Sequence, residues 1–167
     1  MNQFSTVSAQ DFDSVFDKIG KEWMLISATD GTHTNTMTAS WGFCGFLWNK
    51  PVAVCLIRPQ RHTFSIVENS DHLSLSFLGE EYRSALTYCG RNSGRDGDKF
   101  AASGLTCTAT DSIPHPDEAH TVLLCRKLYA DDLKKAAFLD PSLLSHYEKD
   151  DFHRFYICEI EKVLIRQ

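Results

Sequence analysis

The chain is predicted to be mainly β (α+β), a closed β-barrel with short peripheral helices. Strand-like segments outnumber helical ones, the helical segments are short, and strands do not alternate regularly with helices as a doubly wound sheet requires. With 167 residues and no linker, repeat or low-complexity tract, residues 1–167 read as one domain with a core of its own.

The elements follow in order. Ala9 to Ile19 has Phe12, Val15, Phe16 and Ile19 at helical spacing and predicts a short helix. Trp23 to Ala28 is strand-like, and Asp30-Gly31 turns it back as a hairpin. Val52 to Ile57 is a continuous apolar run behind Pro51, suited to a strand buried on both faces. Thr63 to Asn69 predicts a short helix with Phe64, Ile66 and Val67 on its apolar side, His72 to Leu78 a strand, and Glu81 to Cys89 a helix. Gly90 to Gly97 reads as a loop, after which Asp98 is placed to cap a helical turn carrying Lys99, Phe100 and Ala101. Leu105 to Thr110, Thr121 to Tyr129 and Phe152 to Ile165 have β character. A Pro114 to Asp117 turn and a polar, helical insertion around Asp132 to Glu148 separate them.

Composition narrows the function. A net charge of −5 argues against broad attraction to nucleic acid or anionic lipid, and no apolar run approaches the roughly 20 residues that span a bilayer. The start MNQFSTVSAQDFDS has no basic segment followed by an apolar stretch, which predicts a cytoplasmic protein. The six cysteines are dispersed singly in mostly apolar contexts and read as reduced structural thiols. No metal site is predicted, because the seven histidines lack ligand-like spacing and there is no H-E-x-x-H; G-x-S-x-G is absent as well. GRNSGRDG, residues 90–97, lacks the G-K-[ST] ending of a phosphate loop and a preceding strand.

The chemistry concentrates between Thr34 and Asn69. In TNTMTASWGFCG, the hydroxyl residues Thr34, Thr36, Thr38 and Ser40 interleave with Met37, Ala39 and Trp41. An extended segment of this kind offers donors and narrow backbone access, with an aromatic side chain to cover a flat ligand. On the residues alone, a plain threonine-rich strand accounts for it as well. PVAVCLIR follows, then PQRHTFSIVEN, which gathers Arg58, Arg61, His62 and Thr63 at a helix start. Guanidinium groups bind phosphate bidentately, and a threonine there adds a hydroxyl. The bland alternative is a solvated basic turn with Thr63 as an N-cap.

In order and spacing, N-x-M-T-A-S-W, the Pro-led apolar strand, R-x-T before an amphipathic helix, S-G-R-D-G-D-K-F (Ser93 to Phe100) and H-R-F-Y-I-C-E-I-E-K-V (His153 to Val163) resemble the flavin reductase-like FMN-binding split-barrel family. The resemblance covers most of the chain and implies a split β-barrel that binds FMN. The implied cofactor contacts are Asn35, Thr36, Met37, Thr38, Ala39, Ser40 and Trp41 along the ring, with Arg58, Arg61, Thr63 and Lys99 toward the phosphate. Arg61 and Thr63 match R-x-T more directly than Arg58 does. His153 is the implied catalytic residue, beside the ring, where an imidazole places a nicotinamide or supplies a proton to reduced flavin. There the chain reads Asp150-Asp151-Phe152-His153 where the family shows G-D-H, with a glycine missing and an aromatic inserted.

The implied activity is hydride transfer from NADH or NADPH to flavin, passed on to free flavin, a flavin-dependent monooxygenase or another acceptor. The alternative is a flavoredoxin-like FMN electron carrier with little NAD(P)H activity. A third reading is a non-catalytic barrel adapted to heme or a vitamin phosphate, against which Asn35, Thr38, Trp41, Arg61, Thr63 and Lys99 stand together. The family form is a homodimer with FMN at the subunit interface, for which Phe46, Leu47 and Trp48, read as a loop, offer contacts.

Overall fold

The computed structural model describes residues 4–167; residues 1–3 of the predicted domain lie outside the described residues. The described residues form ten strands: β1 Phe4–Val7, β2 Met24–Thr29, β3 Thr34–Ala39, β4 Gly42–Leu47, β5 Lys50–Ile57, β6 His72–Phe77, β7 Cys107–Thr110, β8 Ile113–Pro116, β9 Thr121–Asp132 and β10 Arg154–Arg166. The helices are α1 Val15–Asp17, α2 His62–Glu68, α3 Arg83–Arg91 and α4 Lys99–Ser103. The main sheet runs β3-β2-β6-β9-β10-β5-β4, every pairing antiparallel, and β1 adds to β10 beyond β5. β10 makes this possible by serving two neighbours along one edge. Its start, Arg154 to Glu159, pairs with β5, and its end, Val163 to Arg166, pairs with β1. Bulges at Ile157/Cys158 and Ile160/Lys162 bend it against β9.

The two ends of the sheet, β3 and β4, are joined directly by Ser40-Trp41 and share no ladder. The barrel is therefore split at this corner, and both edges carry backbone groups with no strand beside them.

Strand alternation divides the core in two. Met24, Ile26 and Ala28 of β2, Ala53, Cys55 and Ile57 of β5, and Leu123 and Cys125 of β9 fill the barrel interior with Leu75, Phe77 and Tyr156. Leu25, Val122 and Leu124 point the other way, beneath Ala85, Leu86 and Cys89 of α3 and Phe100 of α4. Burial on both faces is why β2 and β9 read as nearly continuous apolar runs.

Several expectations are corrected. The predicted Ala9–Ile19 helix is broken into a 3₁₀ turn at Ala9–Asp11, the single turn α1, and a wide turn at Lys18–Glu22. Ser14 sits in the left-handed region (φ 54°), where an α-helix cannot pass. Phe12, Val15 and Ile19 still reach the core, whereas Phe16 is 94% exposed. Phe46 and Leu47 belong to β4 rather than a loop, and Trp48-Asn49 forms its two-residue turn to β5 with both φ positive (53° and 56°). The Pro114–Asp117 turn is instead mostly strand β8, paired with β7. The reversal falls at Asp111-Ser112, again with both φ positive. The insertion between β9 and β10 holds 3₁₀ turns at Lys135–Ala137 and Pro141–Tyr147 and no α-helix. No helix among the described residues is long and apolar enough to cross a membrane.

Candidate functional site

At the split corner, the end of β3 and the residues after it, Met37 to Trp41, wall a cavity of about 220 Å³ closed by Leu56, Arg58, Arg61 and His153. A second cavity of about 200 Å³ is lined by Gln60, Arg61, His62, Thr63, residues 90–95 and Lys99. Arg61 is common to both. Each falls below the roughly 300–1,000 Å³ usual for a ligand site. The two meeting at one residue suit a ligand with a planar part and a small anionic part.

The second cavity is cationic. Arg61, Arg91, Arg95 and Lys99 converge on it. Lys99 is 3% exposed, and burial, then the nearby Arg61 guanidinium, push its pKa down to about 8. Burial likewise lowers Arg61. Their contacts are carbonyls: Arg61 Nη1 donates to Gly90 O (2.8 Å) and Nη2 to Cys89 O (3.2 Å), while Lys99 Nζ donates to Cys89 O (2.7 Å). The pair thus collects the carbonyls at the end of α3 and keeps further N–H groups for a ligand. Asp98 starts α4 by accepting from the Phe100 and Ala101 amides, as its sequence position predicts, and so aims Lys99 inward.

Asn35 and Thr63 tie the walls together. Asn35 Nδ2 donates to Thr63 Oγ1 at 3.0 Å, and both residues are buried. Arg61 occupies the N-cap position of α2, so Thr63 is its second residue and not the cap. Gly94 closes over this pair. A Cβ there would lie 2.4–2.6 Å from the Asn35 amide atoms, a close approach only glycine permits.

The structure separates the predicted contacts into groups. Met37, Thr38, Ala39, Ser40, Trp41, Arg58, Arg61 and His153 line the first cavity; Arg61, Thr63 and Lys99 line the second. Asn35 supports the second through Thr63. Thr36 points away, its Oγ1 accepting from buried Ser27 at 2.9 Å. Arg58 is not in the anion cavity; it pairs with Asp151 at 2.6 Å and donates to His146 O at 3.0 Å.

Those partners belong to the insertion, which covers one side of the first cavity. Trp41 lies 5.1 Å from the His146 ring and 5.3 Å from His153, and Tyr147 stacks on Phe152 at 4.7 Å. Tyr147 Oη and His153 Nδ1 are 2.7 Å apart. Burial, then the Arg58 charge, depress the His153 pKa to about 4, so the imidazole is neutral near pH 7.

Sequence reading did not assign Leu56, Arg91, Ser93, Arg95, His146 or Tyr147 to the site. Residues 90–95 of GRNSGRDG line the cationic cavity without the phosphate-loop pattern. Two arginines beside small residues directly before the matched D-K-F were the available signal.

A split barrel with one cavity at its open corner and a cationic cavity beside it, joined at Arg61, defines a class of split-barrel protein with a paired site. Residues 16–167 match the family model described as "Flavin reductase like domain", and the chain belongs to that family. Solved structures share the fold. An FMN-binding domain of a flavin reductases-like enzyme from Shewanella baltica OS155 superposes with a TM-score of 0.71 at 16% identity over 98% of this chain and 78% of that one. Flavoredoxin of Desulfovibrio vulgaris (Miyazaki F) gives 0.68 at 17%, covering 95% and 76%. An NADH:FAD oxidoreductase of Streptomyces globisporus C-1027 gives 0.68 at 12%, covering 87% and 78%. No curated protein sequence matches the chain.

Proposed function

We propose that this chain binds FMN and transfers hydride from NADH or NADPH to the flavin. The observation that carries the reading is the Arg61-linked pair of cavities, one walled by Met37 to Trp41 and one collecting Arg61, Arg91, Arg95 and Lys99. When bound, FMN supplies the hydride-accepting ring, and the protein supplies position and electrostatics. Trp41 and Leu56 give apolar walls, the backbone N–H groups from Thr38 to Ser40 serve the ring edge, and Arg61 and Lys99 hold the phosphate with Thr63 beside them. Neutral His153 orients the reacting partners as a hydrogen-bonding group and is not a proton source at pH 7. A flavoredoxin-like carrier is the second reading, supported by a fold shared with flavoredoxin. Spectral titration tests the binding step: FMN is expected to bind more tightly than riboflavin, and absence of FMN binding at high micromolar concentration refutes it. Reduction of bound FMN by dithionite but not by NAD(P)H favours the carrier.

The working unit we propose is a homodimer in which a second copy helps to close the flavin site. Phe16, Phe43, Phe46 and Trp48 are exposed around β4, an unpaired edge bordering the corner cavity. Phe46→Glu is expected to yield monomers in sedimentation experiments; a monomeric wild type with FMN bound overturns the shared site. Onward acceptors are free flavin or a flavin-dependent monooxygenase.

A further inference from the structure

We propose that Tyr147, carried by the insertion between β9 and β10, is a positioning residue that fixes His153 in its Nε2–H tautomer, so that the imidazole presents a hydrogen-bond donor to the ligand in the first cavity. The inference rests on the flavin reading for the identity of that ligand, but its geometry does not depend on it.

Tyr147 Oη and His153 Nδ1 meet at 2.7 Å, and both residues are buried. One of the two atoms donates. Burial raises the Tyr147 hydroxyl above its ordinary pKa, so the phenol keeps its proton. A buried phenol needs an acceptor, and Nδ1 is the acceptor the described residues give it. A neutral imidazole that accepts at Nδ1 carries its proton on Nε2. His153 also lines the cavity beside Trp41, so the nitrogen turned to the ligand is the one bearing the proton.

The surroundings hold Tyr147 in place for this role. Its ring stacks on Phe152 with an interplanar angle of 19°, and the Arg58 guanidinium lies 5.1 Å from the ring centre. Arg58 in turn grips the insertion through Asp151 and His146 O, while Gln60 Nε2 donates to Asp151 at 3.0 Å. The insertion's ends are pinned by the Leu133 amide donating to His153 O at 2.9 Å. Phe152, the residue inserted before the histidine, therefore has a use: it supplies the face on which Tyr147 stacks. Of the charged groups around His153, Arg58 disfavours the imidazolium and Asp151 favours it. The Tyr147 hydroxyl, by donating to Nδ1, adds a preference for the neutral ring.

The test reads long-range ¹H–¹⁵N correlations of the His153 ring in cofactor-free protein, assigned by their loss in His153→Asn. The wild type is expected to show the Nε2–H tautomer and to remain neutral until the pH falls near 4. Tyr147→Phe keeps the stack and removes the donor. In it the tautomers are expected to mix, and the titration midpoint to rise by about one pH unit. An Nδ1–H tautomer in the wild type, which needs no variant to observe, overturns the proposal. So does a Tyr147→Phe protein with unchanged tautomer and midpoint. Saturating the wild type with FMN is expected to shift the Nε2–H resonance; saturation without a shift removes the donation to ligand. Failure of FMN to bind at all would count against the proposed function, not against the tautomer assignment, which is read without cofactor.

Discussion

Replacing Arg61 by alanine separates phosphate anchoring from ring binding. Two of its five N–H groups are engaged with Gly90 O and Cys89 O, and the remainder border both cavities. A charge-assisted hydrogen bond to a phosphate oxygen contributes about 1.5–3 kcal/mol, so FMN affinity is expected to fall roughly 10- to 150-fold. Riboflavin has no phosphate, and its affinity is expected to change by less than about threefold. The carbonyls released by the substitution adjoin an open cavity where water replaces the lost donors, and Lys99 still serves Cys89 O. The accompanying loss of stability is about 1 kcal/mol, measurable by urea denaturation. Isothermal titration of both flavins into the wild type and the variant is the assay. Equal losses for FMN and riboflavin would refute the reasoning, because Arg61 would then act only by shaping the slot.

Three further outcomes are expected. His153 has an ordinary pKa of 6.5 and a folded value of about 4, so below pH 6.5 the unfolded chain binds the extra proton. Stability should decline between pH 6.5 and 4, by up to about 3 kcal/mol from this group, and His153→Asn should flatten that part of a urea-midpoint profile. Lys99, lowered to about 8, loses its charge above that pH, so FMN affinity should weaken from pH 8 to 9.5 in the wild type and much less in Lys99→Met, as followed by flavin fluorescence. Gly94→Ala forces the Asn35 amide off Thr63, and should cost about 1–3 kcal/mol of stability together with a selective loss of FMN over riboflavin; an unchanged melting midpoint would show that Asn35 moves freely.

How much was legible follows from what each residue is buried against. β2, β5, β6, β9 and β10 are evident in the sequence because their apolar residues face a core on one or both sides. β4 is hidden: Gly42 and Gly45 interrupt it, and its phenylalanines point outward from an edge. β1 is a four-residue segment, FSTV, too short to announce itself, and it is a strand because the end of β10 offers it a ladder. The Met37 to Trp41 wall and His153 could be placed together from motif order. Thr36 could not be separated from Thr38 by pattern, since the difference is which neighbour each hydroxyl meets: Ser27 for one, Leu86 O for the other. Arg58 reads as a phosphate ligand in the sequence because its partner Asp151 lies 93 residues further on, outside any local pattern. Arg95 lines the second cavity and Tyr147 contacts His153 behind the first through tertiary packing of a glycine-rich loop and a polar insertion, and neither carries a local periodicity to report it.

Anaerobic mixing of the FMN-loaded wild type with NADH, and separately with NADPH, tests the central claim most directly. Absorbance of the bound oxidised flavin is expected to bleach in a phase whose rate saturates with at least one of the two nicotinamides. Bound flavin that stays oxidised with both, yet bleaches with dithionite, would contradict a reductase.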